Sequence, residues 1–244
     1  MIKTAFILAA GYGKRLHPMT LSTPKALVPI LHRPLLDWIL TRLDDQGIER
    51  FYINSHHLSD MLQTYIQSSR FADRCTIVHE PNILETGGGI KNMVQQANID
   101  ESVLVHNCDI FSTVNLREVY EHHRKQNNQA TLVVMRRQSS RYLIFDSDLY
   151  LCGRGLPGTE SKSEWVRDCP YPQYLAFNGI QIIEPLLFKT YPKEKFSSIE
   201  LFLAAANKDQ PVRGYLMKEG YYKDAGKPET LKKIKEDIRK GLYK

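Results

Sequence analysis

An α/β fold with a mostly parallel sheet flanked by helices, and a small β-rich lobe inserted in the second half, is predicted for this 244-residue chain. Three observations predict it. Apolar runs rich in Ile, Val, Leu and Phe alternate with helical patterns through the first half, which marks βαβ units. The second half changes to short strands separated by turn chemistry. Hydrophobic residues make up 42% and charged residues 25%, usage that excludes disordered or fibrous chains. No run approaches the roughly 18–20 consecutive apolar residues of a membrane helix.

The sheet opens with a strand over Thr4–Ala9. Met1-Ile2-Lys3 ahead of Ala5–Ala10 imitates a signal peptide. The apolar core is shorter than the roughly 7–15 residues required, and it runs into Gly11-Tyr12-Gly13-Lys14-Arg15 instead of a cleavage site. A helix follows over Pro34–Gln46, with Pro34 at its first position and Gly47 just past its end. Strands Arg50–Asn54, Thr76–His79 and Ser102–His106 alternate with helices Leu58–Ser68, Gly88–Gln96 and Leu116–Gln126. Right-handed crossovers gather ligands at the carboxyl ends of such strands.

Short strands are expected at Thr131–Met135, Tyr142–Phe145 and Tyr150–Cys152, with Asp146-Ser147-Asp148 as a hairpin tip. Residues 153–173 carry Gly, Pro, Ser and charge without period, and read as a long loop or lid. A strand over Leu175–Ile183, a helix over Ser197–Asn207 opened by a Ser cap, a strand over Val212–Met217 and a closing helix over Pro228–Arg239 complete the chain. No repeat or composition break divides it, so one domain over 1–244 is expected.

Lys and Arg number 33 against 27 Asp and Glu, a net charge of +6 that suits a phosphorylated small molecule, nucleic acid or a membrane surface. Much of the excess is the terminal run Lys232, Lys233, Lys235, Arg239, Lys240 and Lys244, interrupted by Glu236 and Asp237. Without interleaved aromatics it reads as a solvated helix face, not a nucleic-acid or membrane surface. Cys75, Cys108, Cys152 and Cys169 form no C-x-x-C pair, and with no secretory signal they are expected as reduced thiols in the cytoplasm.

The most specific segment is Leu8–Thr20, continued by Thr23–Pro29. Ala9, Ala10, Gly11 and Gly13 let the backbone approach a ligand closely after a buried strand. Arg15 and Lys25 add a guanidinium fork and a mobile point charge, the equipment for a polyphosphate. A dinucleotide fingerprint fails because Leu16 stands at its third glycine, and a P-loop fails because Arg15 follows Gly13-Lys14. The pattern Gly-x-Gly-x-Arg-x-x-Pro-x-Thr, then Pro-Lys-x-x-x-Pro, occurs at Gly11, Gly13, Arg15, Pro18, Thr20, Pro24, Lys25 and Pro29. It resembles the signature of sugar-1-phosphate nucleotidyltransferases, the nucleotide-sugar pyrophosphorylases. The resemblance implies a Rossmann-like domain with a nucleotide-binding half over 1–130, a sugar-phosphate-binding half over 131–227 and a C-terminal helix over 228–244. It implies that the first loop wraps a triphosphate, that Arg15 holds the β- and γ-phosphates, and that Lys25 bridges the α-phosphate and the sugar phosphate.

Asp109 ends a buried strand, and Asp224 precedes a turn at Gly226. Carboxylates so placed suit Mg²⁺, which takes one or two of them plus substrate phosphates; a loop cap is the alternative for Asp109. Both positions resemble the family's metal sites, with Cys108 where a Gly is usual and Lys227 where a Thr is frequent. His106 reads as a strand histidine, and Asp146 and Asp148 as turn residues instead of a glycosyltransferase D-x-D motif.

Glu80, Glu85, Thr86 and Gly87 follow the third strand, where glycines again allow close approach. Leu84-Glu85-Thr86-Gly87-Gly88-Gly89-Ile90 resembles the base-reading segment of the family, in particular the branch that uridylylates N-acetylmuramate 1-phosphate. A carboxylate at Glu80 or Glu85 accepts hydrogen bonds only, which suits guanine and keeps a guanylyltransferase for mannose or heptose 1-phosphate open. Phe177-Asn178-Gly179-Ile180 resembles the sugar-facing strand through Asn178 and Gly179, although Gly179 also reads as a bulge. Leu143 stands where many relatives carry a Gly. The expected partners are a nucleoside triphosphate, UTP favoured, and a sugar 1-phosphate, on a monomer or small homo-oligomer. A silent nucleotide-sugar sensor on the same fold is the non-enzymatic alternative.

Overall fold

The structure, a computed structural model, describes residues 1–159 and 162–243. The first strand, β1 (Thr4–Leu8), alternates its side chains between two cores: Ala5 and Ile7 enter one, Phe6 the other. The loop after it carries 3-10 turns at Lys14–Leu16 and Lys25–Leu27 around a short helix α1 (Met19–Ser22). A two-residue hairpin, β2 (Pro29–Ile30) with β3 (Arg33–Pro34), leads into α2 (Leu35–Asp44). Leu35, Leu36, Ile39, Leu40 and Leu43 form the buried stripe of α2, and Gly47 takes φ 87° beyond its end. Pro34, expected at the first helical position, is instead the residue before it, paired with Pro29 in the hairpin.

The alternation continues with β4 (Arg50–Ser55), α3 (Ser59–Gln67), β5 (Cys75–His79), α4 (Glu85–Ala97) and β6 (Val103–Asn107). A short strand β7 (Ile110–Ser112) precedes α5 (Leu116–Lys125), whose Asn115 side chain accepts hydrogen bonds from the amides of Arg117 and Glu118. The second half comprises β8 (Ala130–Met135), β9 (Tyr142–Phe145), β10 (Leu151–Gly155), β11 (Glu164–Trp165), β12 (Gln173–Ile183), α6 (Pro185–Lys189), α7 (Ser198–Ala206), β13 (Val212–Leu216), β14 (Tyr222–Asp224) and α8 (Pro228–Arg239).

One ten-stranded sheet runs β11-β10-β9-β12-β6-β1-β4-β5, with β8 beside β12 and β13 beside β8. Strands β6, β1, β4 and β5 are parallel, and β13 runs parallel to β8. Long β12 is antiparallel to β6, β8 and β9, and so joins the parallel half to the β-rich lobe. The expected α/β class holds. Helices cover both faces: α2 and α8 pack on one core, and α4, α6 and α7 on the other.

Several boundaries differ from expectation. Helix α4 begins at Glu85, three residues before Gly88, so its glycines are the third to fifth residues of the helix. The expected loop 153–173 is partly sheet, because β10 extends to Gly155 and pairs with β11. Residues 160–161 of that segment, and Lys244 of the basic run, lie outside the described residues. Ser197 stands at the N-cap of α7 without a capping bond; the hydroxyl of Thr86 accepts from the Ser198 amide at 3.0 Å instead. No helix among the described residues is long and apolar enough to cross a membrane.

Candidate active site

The loop from β1 starts where the strand order reverses: β4 and β5 lie on one side of β1, and β6 on the other. Asn54, 3% exposed near the end of β4, anchors that loop. Its side-chain oxygen accepts from the amides of Ala9 (2.6 Å) and Ala10 (3.3 Å), and its amino group donates to Glu80 Oε1 (2.6 Å). The other Glu80 oxygen accepts from the Leu84 amide at 3.2 Å. The Ala9 and Ala10 amides, expected to face phosphate, are therefore committed to Asn54. The amides of Gly11 and Gly13 have no such partner among the described residues. Gly13 sits at φ 64°, and a Cβ there would stand 3.0 Å from Thr20 and 3.1 Å from Lys25. Both the conformation and the space demand glycine.

Beyond this loop lies a cavity of about 320 Å³ whose lining includes Ala10, Gly11, Arg15, Lys25, Asp109 and Asp224. The pairing of β14 with β7 sets Asp224 beside Ile110, and the Ala225 amide donates to the Asp109 carbonyl at 2.8 Å. This two-stranded ribbon brings together carboxylates separated by more than a hundred residues. Lys25 forms an ion pair with Asp109, the two side chains 15% and 9% exposed. The Arg15 guanidinium stands 3.8 Å from Asp224. The Gly226 amide donates to Asp224 at 2.7 Å, and a Cβ on Gly226 would overlap the Arg15 guanidinium.

The electrostatics follow from this crowding. Burial works to strip Lys25 of its proton, but Asp109, helped by Cys108 and Asp224, outweighs it and holds the ammonium above its ordinary value. Burial first, and then the charge of Asp109, push the Asp224 carboxyl up against the opposing pull of Gly226, Arg15 and Lys25. Burial raises the Cys108 thiol to about 12 and lowers His106 to about 4, so near neutral pH one is no thiolate and the other no cation. Among the described residues no group of three or more His, Cys, Asp or Glu gathers as a metal cluster. Asp109 and Asp224 form a two-carboxylate set facing the cavity.

Glu80, Ile83, Glu85 and Thr86 also line this cavity. Glu80 is 1% exposed and both its oxygens are engaged, which makes it a brace for Asn54. Glu85 is exposed, and its φ of 63° is a conformation that L side chains seldom adopt. The Gly87 and Gly88 amides donate to the Phe196 carbonyl at 2.8 and 3.2 Å, and a Cβ on Gly87 would overlap the Phe196 ring. Gly87, expected at the base, is thus buried under Phe196 and does not line the cavity.

The strand expected to face the sugar is irregular. Register between β12 and β8 shifts between Phe177 and Gln181, with Gly179 at φ 75° packed on the Asn107 side chain. Asn178 is 1% exposed; its amino group lies 3.9 Å from the Met217 sulfur, and its oxygen has no partner among the described residues. Asn178 and Gly179 line neither neighbouring cavity, whereas Phe177 lines a larger one of about 1080 Å³. That cavity meets the first at Arg15 and Asp224, and it adds Arg141, Arg154 and Lys162, which the sequence alone did not single out. Asn54 also went unnoticed; a polar residue ending a buried strand opposite the glycine loop was its only signal. Asp146 is a turn residue as expected, its oxygen accepting from the amides of Asp148 and Tyr150 at 3.0 and 2.9 Å.

Comparison with known proteins places this site in context. Residues 4–144 match the family described as Nucleotidyl transferase. The chain is 28% identical over 247 residues to the mannose-1-phosphate guanylyltransferase of Mycobacterium tuberculosis, covering 98% of this chain and 65% of that protein. It is 36% identical over 116 residues to the N-acetylmuramate alpha-1-phosphate uridylyltransferase of Caulobacter vibrioides, covering 43% of this chain and 48% of that protein. The chain thus spans less than two thirds of the length of both relatives. The crystal structure of apo-UDP-glucose pyrophosphorylase shares the fold, with a TM-score of 0.79 at 19% identity over 99% of each chain.

Proposed function

The chain belongs to the nucleotidyl transferase family, and we propose that it joins a nucleoside triphosphate to a sugar 1-phosphate, releasing pyrophosphate. One observation carries this reading: Arg15, Lys25, Asp109 and Asp224, from distant parts of the chain, line one cavity beside a glycine loop. A phosphate oxygen of the sugar phosphate attacks the α-phosphorus of the triphosphate in line. The bond from that phosphorus to the bridging oxygen breaks, and pyrophosphate leaves. A phosphate dianion needs no general base, so positioning and charge neutralisation suffice. Lys25 is held protonated beside the reacting centre, and Arg15 faces the leaving phosphates.

Asp109 and Asp224 fit Mg²⁺, because a carboxyl that burial and a like charge push upward is relieved by a divalent cation. Bound between those carboxylates, the metal would neutralise phosphate charge.

UTP is the favoured triphosphate, on the likeness of the Leu84–Ile90 segment to the uridylyl branch and of the chain to the Caulobacter protein. A guanylyl reading is favoured by a separate observation: Glu85 is an exposed acid that lines the cavity, and a carboxylate is a bidentate acceptor for the paired N–H groups of guanine. Incubation with Mg²⁺, each of the four common triphosphates and a panel of sugar 1-phosphates tests both, with pyrophosphate release as the readout. Release with UTP above GTP upholds the first reading, and the reverse order upholds the second. Nucleotide-sugar binding without release with any pair would replace both by a sensor.

A further inference from the structure

We propose that the larger cavity holds a second negative charge on the acceptor, making the preferred substrate an anionic sugar 1-phosphate with a carboxylate or further phosphate elsewhere on the sugar. The inference rests on the sugar-1-phosphate reading above and extends it to the substrate class. Among the described residues, six charged ones line this cavity: Arg15, Arg141, Arg154, Lys162, Glu164 and Asp224. Arg154 is paired with Glu164 at 2.7 Å, and Arg15 faces Asp224 at 3.8 Å. Arg141 and Lys162 have no acidic partner among the described residues, although they come from different segments and line the same space.

The backbone under Arg141 is built to present it. The Ser139 hydroxyl donates to the Arg141 carbonyl at 2.7 Å and accepts from the Arg141 amide at 3.1 Å. The Ser139 amide donates to the Tyr142 hydroxyl at 2.9 Å, closing the turn onto β9. On the other wall β10 and β11 pair closely, Gly153 opposite Trp165 and Arg154 opposite Glu164. The cavity shares Arg15 and Asp224 with the phosphate site, so one molecule can reach both. Its volume of about 1080 Å³ admits a sugar with a bulky substituent. A neutral hexose would leave Arg141 and Lys162 facing water, whereas an anionic group would receive charge-assisted hydrogen bonds from them.

The test compares matched acceptors: glucose 1-phosphate with glucuronic acid 1-phosphate and glucose 1,6-bisphosphate, and N-acetylglucosamine 1-phosphate with N-acetylmuramic acid 1-phosphate. At least one anionic member is expected to exceed its neutral parent roughly ten- to hundredfold in kcat/KM, mainly through KM. Arg141→Ala and Lys162→Ala should pull that ratio toward one, and Arg141→Lys should keep part of it. Neutral parents that equal or outperform every anionic member overturn the proposal. If no pair releases pyrophosphate, the nucleotidyl-transfer reading fails by itself, and calorimetric titration of the same sugar phosphates decides the subsite. Tighter anionic binding that weakens in Arg141→Ala upholds it; equal binding overturns it.

Discussion

Replacing Lys25 by Met removes the ammonium while retaining a flexible apolar side chain of comparable length. The pair it forms with Asp109 is largely out of water, at 15% and 9% exposure. Breaking a fully buried pair from one side costs about 3–5 kcal/mol, and the remaining exposure lowers the figure here to about 1–3 kcal/mol. Turnover should fall further, by about 10²- to 10³-fold, as for other charge-stabilising groups aimed at a transition state. The two effects separate when pyrophosphate release is measured well below the variant's melting temperature. Acidity supplies a second check. In the wild type the pKa of Lys25 is raised, so its contribution is complete below the unfolded value of 10.5 and is lost only as pH rises through the higher folded value. In the variant Asp109 and Asp224 face each other without that ammonium, so at least one carboxyl binds a proton more tightly folded than unfolded. Its stability relative to wild type should therefore recover as pH falls toward the carboxylate range. Near-normal pyrophosphate release by folded Lys25→Met would refute the role of the ammonium. A wild-type melting temperature at pH 7 would refute the energetic argument.

Three further outcomes follow from the same geometry. Asn54→Ala forfeits the bonds to the Ala9 and Ala10 amides and to Glu80, and should lower stability by about 2–4 kcal/mol in chemical denaturation; an unchanged midpoint would contradict the anchoring role. Asp224→Asn should raise the melting temperature at pH 7 in chelator while cutting pyrophosphate release. The folded pKa of Asp224 lies above 3.8, so its penalty is present at neutral pH and disappears as pH falls through that value; a lowered melting temperature would show the sign to be wrong. Gly87→Ala should destabilise by about 1–3 kcal/mol, because the new methyl meets the Phe196 ring, yet leave the ranking of triphosphates intact. A changed ranking would mean that Gly87 contacts the base after all.

What the sequence disclosed, and what it hid, divides along a physical line. Strand and helix patterns in 1–130 were legible because buried parallel strands and amphipathic helices write their periods into contiguous residues. Asp109 and Asp224 were legible as acids at strand ends, and Arg15 and Lys25 as cations in the glycine-bearing loop after β1. The ribbon that joins the two acids was not, since β7 and β14 have only three residues each and pair across more than a hundred positions. Glycine motifs misled in part. Gly87 looks like a ligand contact in sequence, but a glycine spared for a ligand and one spared for a neighbouring ring read alike. Asn54 and Glu80 form a buried polar pair whose meaning lies in partners 26 or more positions away. Arg141 and Lys162 gain theirs only from a shared wall.

The energetics of the site argue for function independently of resemblance. A fold selected for stability alone would not keep Asp224 where burial and Asp109 push its carboxyl upward. Nor would it keep a glutamate at φ 63° at the head of α4, where glycine or asparagine would sit at less cost. Both features border the same cavity, which Arg15 and Lys25 also line. Local strain and like-charge crowding that coincide on one cavity call for a ligand that relieves them, and here the remedy is specific. Positive charge must come to the carboxylates, and negative charge to the cations beside them. The metal-bound polyphosphate proposed above would supply both signs at once, which neither a neutral sugar nor a free anion can do.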